Sequence, residues 1–199
     1  MAQQQGQPMK KIGLKEAIKQ WEEKTGKKAG EVPIVKLNGW LPPIEKMDGS
    51  TSLLIKCEHL ALSTNMIERL SNLNSLKNLK ILSVGRNYLK SLVGVEVCAD
   101  TLEEIWASYN QIEKPSKGVL ACKKLRVLYV ANNWVREWGE VSQLNALPKL
   151  EELVLIGNPL EERFIGAGNQ MSDWQREVGK RIAGLKKIDG NNLLRTDDE

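Results

Sequence analysis

The sequence predicts an α/β solenoid of about six short coils, with a parallel sheet on its concave side and a helical cap at each end. The first supporting observation is a row of asparagines at spacings of 22, 23, 23 and 25 residues, namely Asn65, Asn87, Asn110, Asn133 and Asn158. The second is that apolar residues flank each asparagine in fixed positions, following the pattern L-x-x-L-x-L-x-x-N-x-L. The expected fold is therefore an α/β leucine-rich-repeat solenoid, in which coils too short to bury their own apolar residues stack on one another.

Each frame can be numbered from its first apolar residue, so that the asparagine occupies position nine. Positions one, four, six and eleven are expected to face the core, and each contributes roughly 1.5–3 kcal/mol if fully buried. In the second frame these are Leu79, Leu82, Val84 and Leu89. Because unpaired buried backbone groups cost about 1–3 kcal/mol each, the asparagines are expected to bond the backbone of neighbouring coils. They are interpreted as a structural ladder rather than as a row of ligands.

The chain divides into three parts. Residues 1–30 are expected to form an N-terminal tail and capping helix, residues 31–190 the repeats with a C-terminal cap, and residues 191–199 a flexible tail. Apolar residues recur at helical spacing in both caps: Leu14, Ile18 and Trp21 in the first, and Trp174, Val178 and Ile182 in the second. Terminal coils need such caps because the ends of the stack would otherwise expose the core.

The net charge of +4 does not indicate a nucleic-acid partner. Residues 1–30 carry seven lysines and three glutamates, whereas residues 31–170 carry sixteen charges of each sign. A nucleic-acid-binding surface would concentrate Lys and Arg among the repeats. No apolar run approaches the length of a membrane span, and the N-terminus lacks the apolar stretch of a secretory signal. We therefore expect no membrane contact and a location in the cytoplasm.

The residues that could carry chemistry are few. Cys57, Cys98 and Cys122 lie in or near core positions and are interpreted as reduced apolar fillers, not as a disulfide framework. His59 is the only histidine, which disfavours a zinc site and a Cys-His or Ser-His-Asp centre. No phosphate-binding glycine motif is present. The protein is expected to have no catalytic residues and no cofactor or metal.

A partner is instead expected on the concave sheet, where outward positions can vary without disturbing the core. Trp106, Tyr129 and Tyr109 should form one aromatic patch with Arg86 at its edge, and these residue types commonly anchor protein interfaces. The alternative is that the aromatics only cover neighbouring coils. The candidate partner-binding residues are Ile81, Ser83, Arg86, Trp106, Ser108, Tyr109, Val127, Tyr129, Asn132, Val154 and Ile156.

Several strings between Leu14 and Gly190 identify a more specific resemblance. The most discriminating are LPPIEKMD at 41–48, WASYN at 106–110 and GNPLEE at 157–162. With these strings the chain resembles the leucine-rich-repeat light chains of axonemal outer-arm dynein. The resemblance implies a non-catalytic subunit, a monomer within a large complex, in the axoneme of a cilium or flagellum.

In this family the concave sheet would bind a dynein heavy chain at its microtubule-binding stalk head and so regulate the ciliary motor. A basic surface could then face tubulin, with Arg176, Lys180, Arg181, Lys186 and Lys187 as candidates. The alternative for these cations is a solvated helix face, because acidic residues lie among them. An alternative function is that of a phosphatase-regulating leucine-rich-repeat scaffold protein, which would use the same sheet.

Overall fold

In the computed structural model, which describes residues 10–193, short strands alternate with helices and 3₁₀ turns. The strands are β1 (Ile12–Gly13), β2 (Ile34–Lys36), β3 (Ile44–Lys46), β4 (His59–Ala61), β5 (Ile81–Ser83), β6 (Glu104–Trp106), β7 (Val127–Tyr129), β8 (Glu152–Val154), β9 (Lys187–Ile188) and β10 (Asn191–Asn192). The helices are α1 (Leu14–Thr25), α2 (Ser116–Val119), α3 (Trp138–Gln143), α4 (Pro159–Gly166) and α5 (Met171–Arg181). The 3₁₀ turns cover Ala29–Glu31, Gly49–Leu53, Leu73–Ser75, Val95–Cys98 and Leu144–Ala146. None of the helices within residues 10–193 has both the length and the apolar character needed to cross a membrane.

One eight-stranded sheet runs through the whole stack in the order β10-β9-β8-β7-β6-β5-β4-β2. All of its pairings are parallel except that of β10 with β9. The position-four residues lie side by side in register and are fully buried: Val35, Leu60, Leu82, Ile105, Leu128, Leu153 and Ile188. This register confirms the predicted solenoid, with six coils and a truncated seventh.

The asparagine ladder forms as predicted. Each position-nine side-chain oxygen accepts a hydrogen bond of 2.9 Å from a backbone N–H of the preceding coil, as Asn87 does from Ile67 and Asn110 from Leu89. The side-chain nitrogen donates to the position-six carbonyl of the preceding coil and to a carbonyl of its own coil; for Asn110 these are Val84 and Ala107, both at 3.0 Å. The own-coil acceptor is at position six except for Asn133, which donates to Ala131 at position seven. All five asparagines are buried. Their amides satisfy backbone groups that no strand pairing reaches, so this row is structural.

Both predicted caps are present. Helix α1 buries Leu14, Ile18 and Trp21 against the first coil and ends at Gly26, whose φ of 68° is the left-handed conformation that a helix stop favours. Helix α5 buries Trp174, whose ring lies 5.2 Å from that of Trp138.

Asp189 closes the ladder at the other end of the stack. Its carboxylate accepts backbone N–H groups of Leu155 and Ile156 at 2.6 and 2.9 Å, and the Trp174 indole at 2.9 Å. A carboxylate of the truncated coil therefore satisfies backbone N–H groups of the last full coil, but unlike the asparagines it donates to no carbonyl.

The first residues of the predicted C-terminal tail form a strand. Asn191 and Asn192 form β10 rather than flexible chain, because Asp189 and Gly190, at φ 50° and 81°, make a two-residue turn that reverses the chain onto β9. The following Leu193 donates its N–H to the Lys186 carbonyl at 2.8 Å and packs against the core. The remaining residues of the predicted tail, 194–199, and the predicted N-terminal tail, 1–9, lie outside the described residues.

Candidate functional site

The candidate site is the concave face of the sheet, where strand alternation turns positions three and five away from the core. The register aligns Ser83, Trp106, Tyr129 and Val154 at position five, on four successive strands. Position three carries Ile81, Glu104, Val127 and Glu152 on the same strands. The large residues of this face therefore lie on β6 and β7.

Trp106 and Tyr129 stack on each other, with ring centroids 6.3 Å apart and an interplanar angle of 17°. The Trp106 indole donates to Glu104 at 3.1 Å, and the Tyr129 hydroxyl donates to Glu152 at 2.7 Å. Burial, together with this bond, raises the pKa of Tyr129 to about 12, so the hydroxyl stays protonated. Because both polar tips are bonded within the chain, the half-buried rings offer apolar faces to a partner.

The expected single aromatic patch is in fact two clusters. The Arg86 guanidinium lies 4.3 Å from the Tyr109 ring centroid, and both residues have left-handed backbone at φ 54° and 61°. They sit at position eight, beyond the end of the strand, where the chain turns toward the ladder. Tyr109 therefore contacts Arg86 at the rim of the sheet instead of extending the Trp106–Tyr129 stack.

The predicted contact residues differ in how much surface they offer. Ser83 and Val127 lie on the predicted face but are only 4% and 6% exposed, because longer side chains on adjacent strands flank them. The prediction that these two residues contact a partner directly is therefore wrong; they pack beneath the exposed side chains of the face. Ile81, Ser108 and Val154 are half-buried, and Arg86, Tyr109, Asn132 and Ile156 are exposed.

Two exposed aromatic residues beyond the ladder were not among the predicted contact residues. Tyr88 and Trp134 follow the ladder asparagines at position ten and are 44% and 43% exposed. Ile34 and Lys36, at positions three and five of the first strand, are exposed and extend the concave face, as strand alternation predicts. Since position ten recurs in every frame, the aromatic residues at this position could have been recognised as exposed from the sequence.

His59 belongs to this face as well. Its Nε2 lies 2.9 Å from Ser83 Oγ, and its ring meets the edge of Trp106 at 5.5 Å. Burial and the charge of Lys36 lower the pKa of His59, whereas Glu104 acts in the opposite direction. The Ser83 hydroxyl is almost covered, so this pair offers little approach to a substrate and is better explained as packing beside the aromatic stack.

The three cysteines are free and buried, as predicted. Burial raises the pKa of Cys57, Cys98 and Cys122 to about 11 in each case, which keeps the thiols protonated and unreactive near neutral pH. Within residues 10–193, no group of three or more His, Cys, Asp and Glu side chains is arranged to hold a metal ion.

The five cations proposed to face tubulin do not form a uniform basic surface. On α5, Arg176 pairs with Asp173 at 3.2 Å, Lys180 pairs with Glu177 at 3.3 Å, and Arg181 also pairs with Glu177. Arg181 further lies 4.0 Å from the Trp138 ring centroid.

The other two cations lie off the helix. Lys186 pairs with Glu151 at 2.8 Å, and Lys187, on the concave strand β9, pairs with Glu152 at 3.9 Å. Since all five cations have acidic partners, this pattern favours the alternative of a solvated, internally paired surface.

Comparison with known proteins identifies the family. A Danio rerio protein named dynein axonemal light chain 1 is 55% identical over 186 residues, covering 94% of each chain. The human protein of that name is 52% identical over 94% of this chain and 95% of its own, and the Chlamydomonas reinhardtii protein is 49% identical over 89% and 88%. The chain belongs to the axonemal dynein light chain 1 family.

More distant structures match the fold of this family member. A chain of the Drosophila melanogaster SNF/U2A′ complex superposes with a TM-score of 0.54 at 18% identity, covering 95% of this chain and 88% of its own. A Listeria monocytogenes internalin superposes with a TM-score of 0.60 at 19% identity, over 80% of this chain and 41% of its own. No protein-family model matches the sequence.

Proposed function

We propose that the protein is a non-catalytic light chain of outer-arm dynein and that its concave sheet binds a dynein heavy chain. Support for the dynein role comes from relatives named dynein axonemal light chain 1 at 49–55% identity. Support for the surface comes from the stacked, half-exposed rings of Trp106 and Tyr129. Aromatic side chains in such central positions are the usual anchors of protein interfaces.

The bound region is proposed to be the microtubule-binding stalk head, as the family resemblance implies. A light chain held there lies near the track and can adjust microtubule affinity or stepping during the ciliary beat. The protein accordingly belongs to the cytoskeleton of the axoneme and acts as a single subunit of a large complex. Direct tubulin contact gains no support from α5, whose cations already have acidic partners.

The test is binding of the purified chain to a recombinant outer-arm stalk head, measured by calorimetry beside a Trp106→Ala/Tyr129→Ala variant. The double variant is expected to lose at least about 2 kcal/mol of binding free energy while keeping its circular dichroism spectrum, because neither ring is part of the buried core. Tubulin alone serves as a parallel sample. A variant that binds as tightly as the wild type would remove the aromatic stack from the interface.

Absence of wild-type binding would contradict the stalk-head assignment. Affinity capture from ciliary extract would then distinguish another heavy-chain region from the phosphatase-regulating scaffold. Recovery of a phosphatase catalytic subunit without dynein would favour the scaffold.

A further inference from the structure

We infer that the segment bound on the concave face is amphipathic, with an apolar side on the Trp106–Tyr129 stack and a carboxylate side on Arg86 and Lys36. This inference rests on the proposed function and specifies the chemistry of the heavy-chain segment. It follows from a difference between the two halves of the sheet: the acidic side chains of one half are paired within the chain, whereas the basic side chains of the other half are not.

The acidic groups of the concave face are already occupied by the chain itself. Glu104 accepts the Trp106 indole at 3.1 Å and pairs with Arg126 at 3.3 Å. Glu152 accepts the Tyr129 hydroxyl at 2.7 Å and pairs with Lys187 at 3.9 Å. A partner's cation would have to displace these bonds, so the β6–β8 half of the face is best suited to apolar contact.

The basic groups at the other half are not occupied in this way. Arg86 and Lys36 are exposed, and no acidic side chain among residues 10–193 lies within ion-pair distance of either. The central carbon of the Arg86 guanidinium lies 4.3 Å from the Tyr109 ring centroid, and within residues 10–193 no hydrogen bond occupies its side-chain N–H donors. A guanidinium whose N–H donors are unoccupied can bind a carboxylate through two parallel hydrogen bonds.

The backbone at Arg86 strengthens the argument. Its φ of 54° is a conformation that glycine or asparagine adopts at less cost, and in the other coils the equivalent left-handed position is held by Gly39, Thr64, Tyr109, Asn132 and Gly157. An arginine at this position is therefore not explained by the turn itself. Its contact with the ring of Tyr109, whose φ is 61°, holds the cation at the rim of the concave face.

The small residues between the two halves make room for such a segment. Ala61 and Ser83 are nearly buried, and Gly85 offers no side chain, so β4 and β5 form a low floor between Lys36 and the aromatic stack. A Cβ added at Gly85 would lie 3.1 Å from the Ser108 carbonyl oxygen, so this floor is also tightly packed against the next coil. An extended or helical segment can lie across it and reach both halves of the face.

The experiment compares Arg86→Glu and Lys36→Glu with a matched control, Lys77→Glu, in binding to the recombinant stalk head. Lys77 is exposed, follows the 3₁₀ turn at Leu73–Ser75 outside the strands of the sheet, and undergoes the same type of charge reversal. Each concave variant is expected to weaken binding about tenfold or more and to reduce its dependence on salt, because a favourable charge contact becomes repulsive. The Lys77 variant should bind like the wild type.

Thermal unfolding of each variant checks that its fold is intact. If the wild type binds and both concave variants bind equally well with unchanged salt dependence, the inference is overturned while the proposed function stands. An equal loss in the Lys77 variant also overturns it, because the effect would then reflect net charge rather than this surface. If the wild type does not bind, the proposed function fails, and the inference fails with it.

Discussion

The concave sheet and helix α5 both carry cations beside aromatic rings, but their charges are satisfied differently. On α5, Arg181 stacks on Trp138 and also pairs with Glu177, one turn earlier on the same helix. On the sheet rim, Arg86 stacks on Tyr109 and has no acidic side chain of residues 10–193 within ion-pair distance. The difference teaches that the number of basic residues does not identify a binding surface; what matters is whether the chain already pairs them.

The largest expected effect is on the buried side of the strands that form the concave face. Leu82→Ala removes a fully buried position-four side chain and should lower the free energy of unfolding by roughly 2–5 kcal/mol, through lost burial and a residual cavity. The adjacent Ile81→Ala is the matched control, because Ile81 faces outward and is half-buried. Urea denaturation measures both, and a larger loss for Ile81→Ala than for Leu82→Ala would mean that the strand faces are assigned in reverse.

The second test concerns the paired cation of the cap. Arg181→Ala should cost about 1 kcal/mol of stability, because it removes both the contact with Trp138 and the ion pair with Glu177. Binding to the stalk head should not change, since the side chain already has its partners within the chain. Calorimetric unfolding measures the stability, and the binding assay measures the affinity for the stalk head. Weakened binding at unchanged stability would show that α5 is part of the interface.

A smaller effect is expected at the outer face of the same helix. Arg176→Ala and Lys180→Ala each remove an exposed pair within one turn, which is worth at most about 0.5 kcal/mol. The double variant should therefore melt close to the wild type and leave microtubule co-sedimentation of the light chain with the stalk head unchanged. A clear loss of co-sedimentation would show that these cations exchange their internal partners for tubulin.

The sequence predicted the parts of the molecule that repeat. The asparagine spacing fixed the register, and through it the side of the sheet on which Trp106 and Tyr129 lie. It did not predict exposure, because the side chains that cover Val127 come from separate coils whose lateral contacts have no fixed spacing in the chain. The Asp189–Gly190 pair is a typical hairpin-turn sequence, but it lies where the repeat pattern ends, so the repeat pattern did not predict the strand that follows it.

Pairing of charges was also beyond the sequence analysis. Position two alternates in sign along the stack, and this arrangement brings Lys80 to 2.8 Å from Glu58 and Lys186 to 2.8 Å from Glu151. Such pairs join residues 22 and 35 positions apart, so they become visible only when the coils are stacked. A count of charges along the chain could not show that Lys186 is paired with an acidic side chain and that Arg86 is not.

The smallest expected effect is a pH dependence at the boundary between the basic and aromatic halves of the sheet. Burial and Lys36 lower the pKa of His59 below its usual 6.5, so the folded protein favours the neutral imidazole. The unfolded chain then binds more protons, and the stability contributed by His59 is fully present above about pH 6.5 and is lost as the pH falls through the lowered pKa. Since His59 is the only histidine, its ring proton resonances report this titration directly by NMR. His59→Gln should show a smaller loss of melting temperature between neutral and mildly acidic pH, whereas a measured pKa above 6.5 would contradict the assigned environment.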